Sequence, residues 1–416
     1  MNKKQIVLLS VLSSISSTHL LALPPCGFVR PFEYNFVIPQ YGHNHAAVDV
    51  QLHGGVAVNA YNLNGTKVSP LHYLQPNENS LAMVKGFAAG TEQSAIAQQF
   101  NVNDDDGTRG RLVFNGKISA PVSALFTLHK VFHEHWFVGL SLPVYSMKLS
   151  NLSWADQTLN LNLADTLTKT LLTNNLAANV ARLGNNLTLQ DWSKTGPGDV
   201  ACIGGYRHNF FQNKPWIKEV MVNVRAGFTL PTGLTQDEDL LMNMPFGNDG
   251  SVALIVGGGL ELNLKQRVRA GLDVNFLHTF NNTRARRIKV DSTQTDFLLL
   301  TKTDVQKDPG FFQEFNIYLE PKIIEGLSFL WGYQYKKKGK DHFYVVSNAY
   351  SSTIANTAES LKEWTMHSML LQSKVALDTL TGNERAPHCS LFCTVPFNGL
   401  RSLQVVDLGC SIFVDF

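Results

Sequence analysis

The chain has 416 residues, of which 44% are hydrophobic and 16% charged, with a net charge of +2. Such a balance gives no electrostatic footprint for a nucleic-acid partner. Beyond the N-terminal region no stretch stays apolar for the roughly 18 residues that a spanning helix needs, which excludes a helical membrane protein; a membrane β-barrel fits, because lumen-facing polar residues dilute every strand.

Asn2-Lys3-Lys4 is a short basic region, followed by an apolar core from Ile6 to Leu12 and a Ser-rich stretch. This reads as a Sec-type signal peptide over residues 1–22, cleaved after Ser16 or Ala22. Residues 23–45 are rich in Pro and aromatics and read as an irregular lead-in. The five cysteines, Cys26, Cys202, Cys389, Cys393 and Cys410, are too few for a disulfide framework. They read as small apolar residues; a Cys389–Cys410 bridge needs the last hairpin to pair them.

From Val48 the chain alternates. Val48, Val50, Leu52, Gly54, Val56, Val58 and Ala60 oppose Asp49, Gln51, His53 and Asn59. Side chains alternate across a strand, so this is a two-faced strand. Residues 63–110 lose the pattern. Their acidic run, Asp104 to Asp106, reads as a solvated loop, because Val102 breaks a calcium-loop spacing. The second strand sets Leu112, Phe114, Ile118, Ala120, Val122, Ala124, Phe126 and Leu128 against Arg111, Asn115, Lys117, Ser119, Ser123 and Thr127. After a tight turn at His133-Glu134-His135, a third strand carries Trp136, Val138, Leu140, Leu142 and Val144 on one face.

Residues 151–197 differ. Leu167, Leu171, Leu172, Leu176, Val180 and Leu183 recur at helical spacing, and Gly184 ends the run. This predicts a helix-bearing loop, long enough to cap or enter a pore. Alternation then resumes in pairs, around 200–208 and 220–230, 252–262 and 268–276, 315–319 and 327–335, 369–377 and 389–397. The loop 281–311 carries the basic run Arg284, Arg286, Arg287 and Lys289. Asn398-Gly399 predicts a tight turn into the closing strand. There Val406, Leu408, Cys410, Ile412 and Val414 oppose Asp407, Gly409, Ser411, Phe413 and Asp415, and the chain ends on Phe416. This ending resembles the terminal signal of bacterial outer-membrane β-barrels, which implies the barrel-assembly machinery as a partner.

These are twelve strands, or fourteen if 63–110 hides a hairpin. Short connections fall after every even strand and long ones after odd strands, except at Asn398-Gly399. Outer-membrane barrels alternate in this way, and a soluble β-protein has no reason to. Aromatics near strand ends, Trp136, Phe210, Phe280, Tyr335, Trp364 and Phe416, suit interfacial girdles. The expected fold is an all-β transmembrane antiparallel up-and-down barrel from residue 46 to 416, in the bacterial outer membrane, in contact with its lipid.

The opposite faces carry the expected lumen lining: Asp49, Arg111, Lys117, Asp199, Arg207, Arg225, Glu261, Arg269, Asp273, Glu314, Glu320, Lys336 and Lys374. The signs are mixed, so the lining implies water, mutual pairing or both rather than anion selectivity. A twelve-strand barrel is wider than side chains alone fill, leaving room for the loop helix or the N-terminal segment as partial plugs.

Gly196-Pro197-Gly198-Asp199 and Leu230-Pro231-Thr232-Gly233 resemble a hairpin of the meta-pathway phenol-degradation group of barrels, which is similar to the FadL-like channels for hydrophobic compounds. The N-terminal region carries no Asn-Pro-Ala motif of the FadL hatch segment. The resemblance implies a channel for small solutes, hydrophobic ones included, with Leu167, Leu171 and Val180 as a capture surface on the loop helix. The rival readings are a structural or adhesive barrel with a closed lumen, and an outer-membrane hydrolase. No Ser sits in a Gly-x-Ser-x-Gly motif. His43, His45, His129, His133 and His135 read as solvated strand-end and loop histidines rather than metal ligands. Neither an enzyme activity nor a cofactor is expected.

Overall fold

A computed structural model describes residues 46–102, 109–133, 135–381 and 387–415. The signal peptide, the lead-in 23–45, the acidic run 104–106 and Phe416 lie outside the described residues. Twelve strands form the barrel: β1 (Ala46–Tyr61), β2 (Arg111–Phe132), β3 (Trp136–Asp156), β4 (Val200–Phe211), β5 (Ile217–Leu230), β6 (Ala253–Leu264), β7 (Val268–Thr279), β8 (Phe312–Ile324), β9 (Leu327–Lys338), β10 (Trp364–Ala376), β11 (His388–Leu400) and β12 (Ser402–Asp415). Each pairs antiparallel with its neighbours in sequence. The sheet closes because β1 pairs β12 from Ala47↔Asp415 to Tyr61↔Ser402 and pairs β2 on its other edge from Ala46↔Lys130 to Val56↔Ser119. The described residues of 63–110 add no barrel strand. They contribute two-residue strands (Lys67–Val68 and Glu78–Asn79), two 3-10 turns and helix α1 (Glu92–Gln99).

Both ends of the described barrel, Ala46 and Asp415, sit at the rim that carries the short connections. The long connections 62–110, 157–199, 231–252, 280–311 and 339–363 share the other rim. The reversal between β11 and β12 is at Arg401, whose φ of 47° is left-handed. Asn398 and Gly399, the expected turn, instead belong to β11 and pair with His367 and Met366. Glycine is needed there because a Cβ would collide with the Ser402 hydroxyl and the Thr365 carbonyl.

The two phases of each strand meet different surroundings. Val138, Leu140, Leu142, Leu254, Val256, Ile317, Leu319 and Ile412 point outward and are exposed, whereas Asp49, Arg207, Asn223, Glu261, Asp273, Glu314 and Glu320 point inward and are buried. Apolar-out and polar-in is the pattern of a barrel solvated by lipid. Cys202, Cys389, Cys393 and Cys410 all lie on the outward phase, and all four are free. Leu391, not Cys389, stands opposite Cys410, so no Cys389–Cys410 bridge forms.

The β2–β3 hairpin departs from this pattern. Its strands have 22 and 21 residues, about twice what a tilted crossing requires. The β2–β3 register slips between Ser119 and Ala124, and the β1–β2 register slips between His53 and Gly55. Ser123 faces His53 and Ala120 faces Gly55, so one extra residue of β2 lies between two inward positions. This β-bulge inverts the phase. Beyond it Leu112, Phe114 and Ile118 point inward and are buried, while Arg111, Asn115 and Lys117 point outward. Arg111 and Lys117 are therefore not lumen residues, contrary to expectation. On β3 the outward side likewise becomes polar, with Ser146, Lys148 and Ser150. The change marks where the outer surface leaves hydrocarbon, and the first nine residues of β2, 111–119, and the last nine of β3, 148–156, extend roughly 30 Å of chain beyond it.

This boundary is testable. Leu140→Arg should destabilise the folded barrel in lipid by about 2–4 kcal/mol, and Ser150→Arg by about 0–1 kcal/mol. Urea titration in liposomes reads both values, and equal costs would displace the boundary.

Candidate functional site: a charged lumen under an apolar cap

The inward faces of β5 to β10 carry a connected set of ion pairs. Arg225 bonds Asp273 at 2.5 Å and donates to Asn275 Oδ1 at 2.6 Å. Asn275 and Asn316 both donate to Glu314, at 3.2 and 3.0 Å, with Lys336 Nζ 3.9 Å away. Deeper toward the short-turn rim, Glu320 receives Arg269 at 2.9 Å, Lys374 at 3.3 Å and the Ser328 hydroxyl at 2.6 Å. Arg269 also faces Glu261 at 3.8 Å, and Tyr318 donates to Glu261 at 2.7 Å. Tyr318 lies flat over β7 only because Gly271 has no side chain to hold it off. Arg207 joins the same wall, electrostatically coupled to Glu219 and Glu261. Buried charges persist where partners and hydrogen bonds replace water, and here each charge finds them across two or three strands.

On the opposite wall Gln51 donates to Asp49 at 2.7 Å, and His53 meets Asp407 at 3.3 Å. A cavity of about 490 Å³ lies between the walls at the short-turn rim, bordered by Asp49, Arg269, Glu320, Lys374 and Phe413.

The other mouth is closed by a cap of loops. Leu71, Leu81, Met83, Val84, Leu172, Leu176, Val180, Leu183, Phe246, Phe297 and Leu298 pack in one buried cluster with Phe114, Ile118 and Leu149 of the inverted β2–β3 hairpin and Leu403 of β12. The inversion on β2, together with the inward Tyr145, Met147 and Leu149 of β3, gives the cap an apolar wall to rest on. The helical loop supplies α2 (Leu163–Thr168), a π-turn (Lys169–Thr173) and α3 (Leu176–Leu183). Asn162 caps α2 by accepting from the Asp165 backbone N–H at 2.9 Å. The π-turn adds a residue to the turn and rotates the helical phase. Leu171 is consequently exposed, Leu167 is partly buried and Val180 is fully buried. These three do not form one capture surface, because the apolar face is used up in the cap.

Asp199 holds the cap to the rim. It accepts from the backbone N–H of Gly233 at 2.9 Å and of Asn248 at 2.6 Å. The Thr232 hydroxyl accepts from Val200 N–H at 2.9 Å and donates to the Gly198 carbonyl at 3.0 Å. A Cβ on Gly247 would overlap the Asp199 carboxylate. The two Gly- and Pro-containing motifs of the sequence therefore meet as a latch around one carboxylate.

Arg284, Arg286 and Arg287 of the basic run lie on a strand, Asn282–Ile288, in a three-stranded sheet with Thr301–Asp308 and His342–Val345, and Lys289 follows it. Arg284 and Arg286 both grip Asp249. Arg287 donates to the Glu238 carbonyl at 2.6 Å, to the Leu299 and Leu300 carbonyls at 3.1 Å, and to Asp239 at 2.7 Å. It stitches two loops together. Lys307, at 3.0 Å, and Lys338 hold Asp341 down to about 2 against the effect of its burial. A second cavity, of about 240 Å³, lies among these loops and reaches Thr279, Lys338 and Trp364 at the barrel mouth.

Among the expected lumen residues, Asp49, Arg207, Arg225, Glu261, Arg269, Asp273, Glu314, Glu320, Lys336 and Lys374 point inward, Asp199 sits at the rim, and Arg111 and Lys117 point outward. The gripping roles of Asp199, Asp249 and Arg287 had no sequence signal beyond charge, except the glycines around Asp199. Among the described residues no group of three or more His, Cys, Asp or Glu converges as a metal site.

The chain thus has the fold of a Gram-negative outer-membrane β-barrel. The same fold is seen in an outer membrane channel from Pseudomonas putida F1, with a TM-score of 0.53, 10% identity and coverage of 94% of this chain and 100% of that one. The translocator domain of the autotransporter NalP from Neisseria meningitidis aligns with TM-score 0.37 and 7% identity over 91% of this chain and 90% of that one. The Pseudomonas putida toluene transporter TodX gives TM-score 0.36 and 7% identity over 95% and 96%. No family model matches the chain, and no curated protein matches it significantly.

Burial of Glu78 in the cap raises its carboxyl from 4.5 to about 7, with repulsion from Asp296 adding to the effect and hydrogen bonds from Gln75, Thr295 and Phe297 opposing it. The protonated form therefore suits the folded cap. Its contribution is complete below 4.5 and is lost as pH rises through 7, a change of about 3 kcal/mol. Hydrogen exchange at residues 78–84, corrected for intrinsic rates, should show stronger protection at pH 5 than at pH 8. Glu78→Gln should flatten the difference.

Proposed function

We propose that the protein is an outer-membrane channel for small solutes, apolar-bodied ones included. The observation that carries this reading is the pair of cavities at the two mouths of one lumen, about 240 Å³ in the cap and about 490 Å³ at the short-turn rim. A barrel built only as a scaffold has no need of space at both ends. The fold likeness to a solved outer membrane channel supports the same reading.

In this mechanism the cap is the gate. Its packing excludes bulk water at rest, and its loosening admits a solute to the lumen. The wall below is polar but internally neutralised, since its charges are paired with one another. It offers hydrogen bonds along the way without selecting strongly for either sign of ion. Solutes enter and leave by diffusion, and no energy source is invoked. The closing strand β12 is the segment we assign to recognition by the barrel-assembly machinery, and the outward stripe contacts membrane lipid.

Asp199→Ala leaves the Gly233 and Asn248 N–H groups without their acceptor and should free the latch. In planar bilayers the variant should conduct several-fold more than the parent protein, while still migrating as a folded barrel in unheated gel samples. Absence of conductance and of solute uptake in both proteins would favour the closed, structural barrel.

A further inference from the structure

The cap cavity has an unusual lining. Trp364 Nε1, Arg286 Nε, Asn243 Nδ2 and Ser251 Oγ are buried atoms of lining residues without a hydrogen-bond partner among the described residues. Indole, guanidinium and amide N–H groups only donate, and the hydroxyl can donate. One orphan acceptor, Glu238 Oε1, stands against them, with Arg284 Nη2 3.6 Å away. Five cationic side chains and four carboxylates line the cavity. Each of those carboxylates already has a cation: Glu238 has Arg284, Asp249 has Arg286, Asp296 has Lys289 and Asp341 has Lys338. The remainder of the wall mixes apolar side chains, among them Phe297, Phe343, Leu241 and Met244, with the polar Gln236, Asn248, Thr279, Asn282 and Ser360.

We infer that this cavity binds a small monocarboxylate with an apolar body about the size of one aromatic ring. The inference rests on the channel reading and names its substrate class. Buried donors left without acceptors are unfavourable, so a pure hydrocarbon satisfies the apolar wall but none of the four donors. A carboxylate brings two oxygens with about four lone-pair sites and one negative charge. That supplies acceptors of the kind these lining residues lack, in a lining whose cations outnumber its carboxylates five to four. A cavity of about 150 Å³ accepts benzene, so about 240 Å³ takes the ring and the carboxylate together.

The probes are benzoate and toluene, which share the ring and differ in carboxylate against methyl. Titration calorimetry uses the full-length protein folded in detergent at pH 7. Benzoate should bind at least about tenfold tighter than toluene, the difference made by donors that only a charged acceptor satisfies. Trp364→Phe keeps the ring and removes one donor. Asn243→Asp keeps the oxygen that accepts from Asp237 N–H and replaces the free donor with negative charge. Each should lower benzoate affinity about tenfold and leave toluene binding unchanged. Heat-modifiable migration confirms that both variants are folded. Equal affinity for the two probes, no binding of either, or benzoate affinity unmoved by both variants would overturn the inference. Liposome uptake separates the two levels. Benzoate that passes without tight binding keeps the channel and removes this site; benzoate that binds without passing does the reverse.

Discussion

Hydrocarbon offers no water to an unpaired peptide group, so every backbone donor and acceptor in the membrane must find its partner within the protein. The double pairing of β1, to β12 on one edge and β2 on the other, meets that demand by leaving no strand edge open. Much else follows from it. A closed sheet must turn one side-chain phase to lipid and the other to a shared interior. Twelve strands make that interior too wide for side chains alone. The protein fills it with charge pairs that span neighbouring strands and with loops folded over one mouth.

The two fillings obey different physics. The lumen wall holds its ions by mutual pairing, and the side chains concerned come from strands whose spacing the sheet fixes. Glu320 collects Arg269, Lys374 and Ser328 because β7, β9 and β10 carry inward positions at one height. The cap instead buries apolar surface against the inverted hairpin and spends its polar groups on holding loops together. Asp199, Asp249 and Arg287 each bind backbone or charge from a distant loop. The cap is therefore a unit assembled from several connections, and the latch at Asp199 joins it to the rim.

Much of the barrel was legible in the sequence, for a physical reason. Lipid on one side and polar lumen on the other print a period of two on every strand, and a closed barrel prints parity on its connections. The inward charges of β5 to β10 could be read by the same rule. The rule failed at Arg111 and Lys117, because the even-numbered apolar series from Leu112 to Leu128 runs through the bulge without a break. The one available signal was Pro121, which cannot donate to a sheet ladder and marks bulges and edges. The loop helix was legible as a helix, but its π-turn was not, and one extra residue decided which leucines face the cap. Asn398-Gly399 has turn chemistry, yet the ladder to β10 continued through it and left the reversal to Arg401.

The outward cysteines have a bearing on the history of each molecule. A protein bound for the outer membrane crosses a compartment where thiols oxidise. Cys389, Cys393 and Cys410 come from adjacent strands, and in water they are free to cross-link wrongly while the chain waits to insert. Exchange needs a thiolate, and acyl chains do not solvate one. Insertion therefore ends the hazard without any bridge being made, and the period of vulnerability closes when the last strand seals the wall.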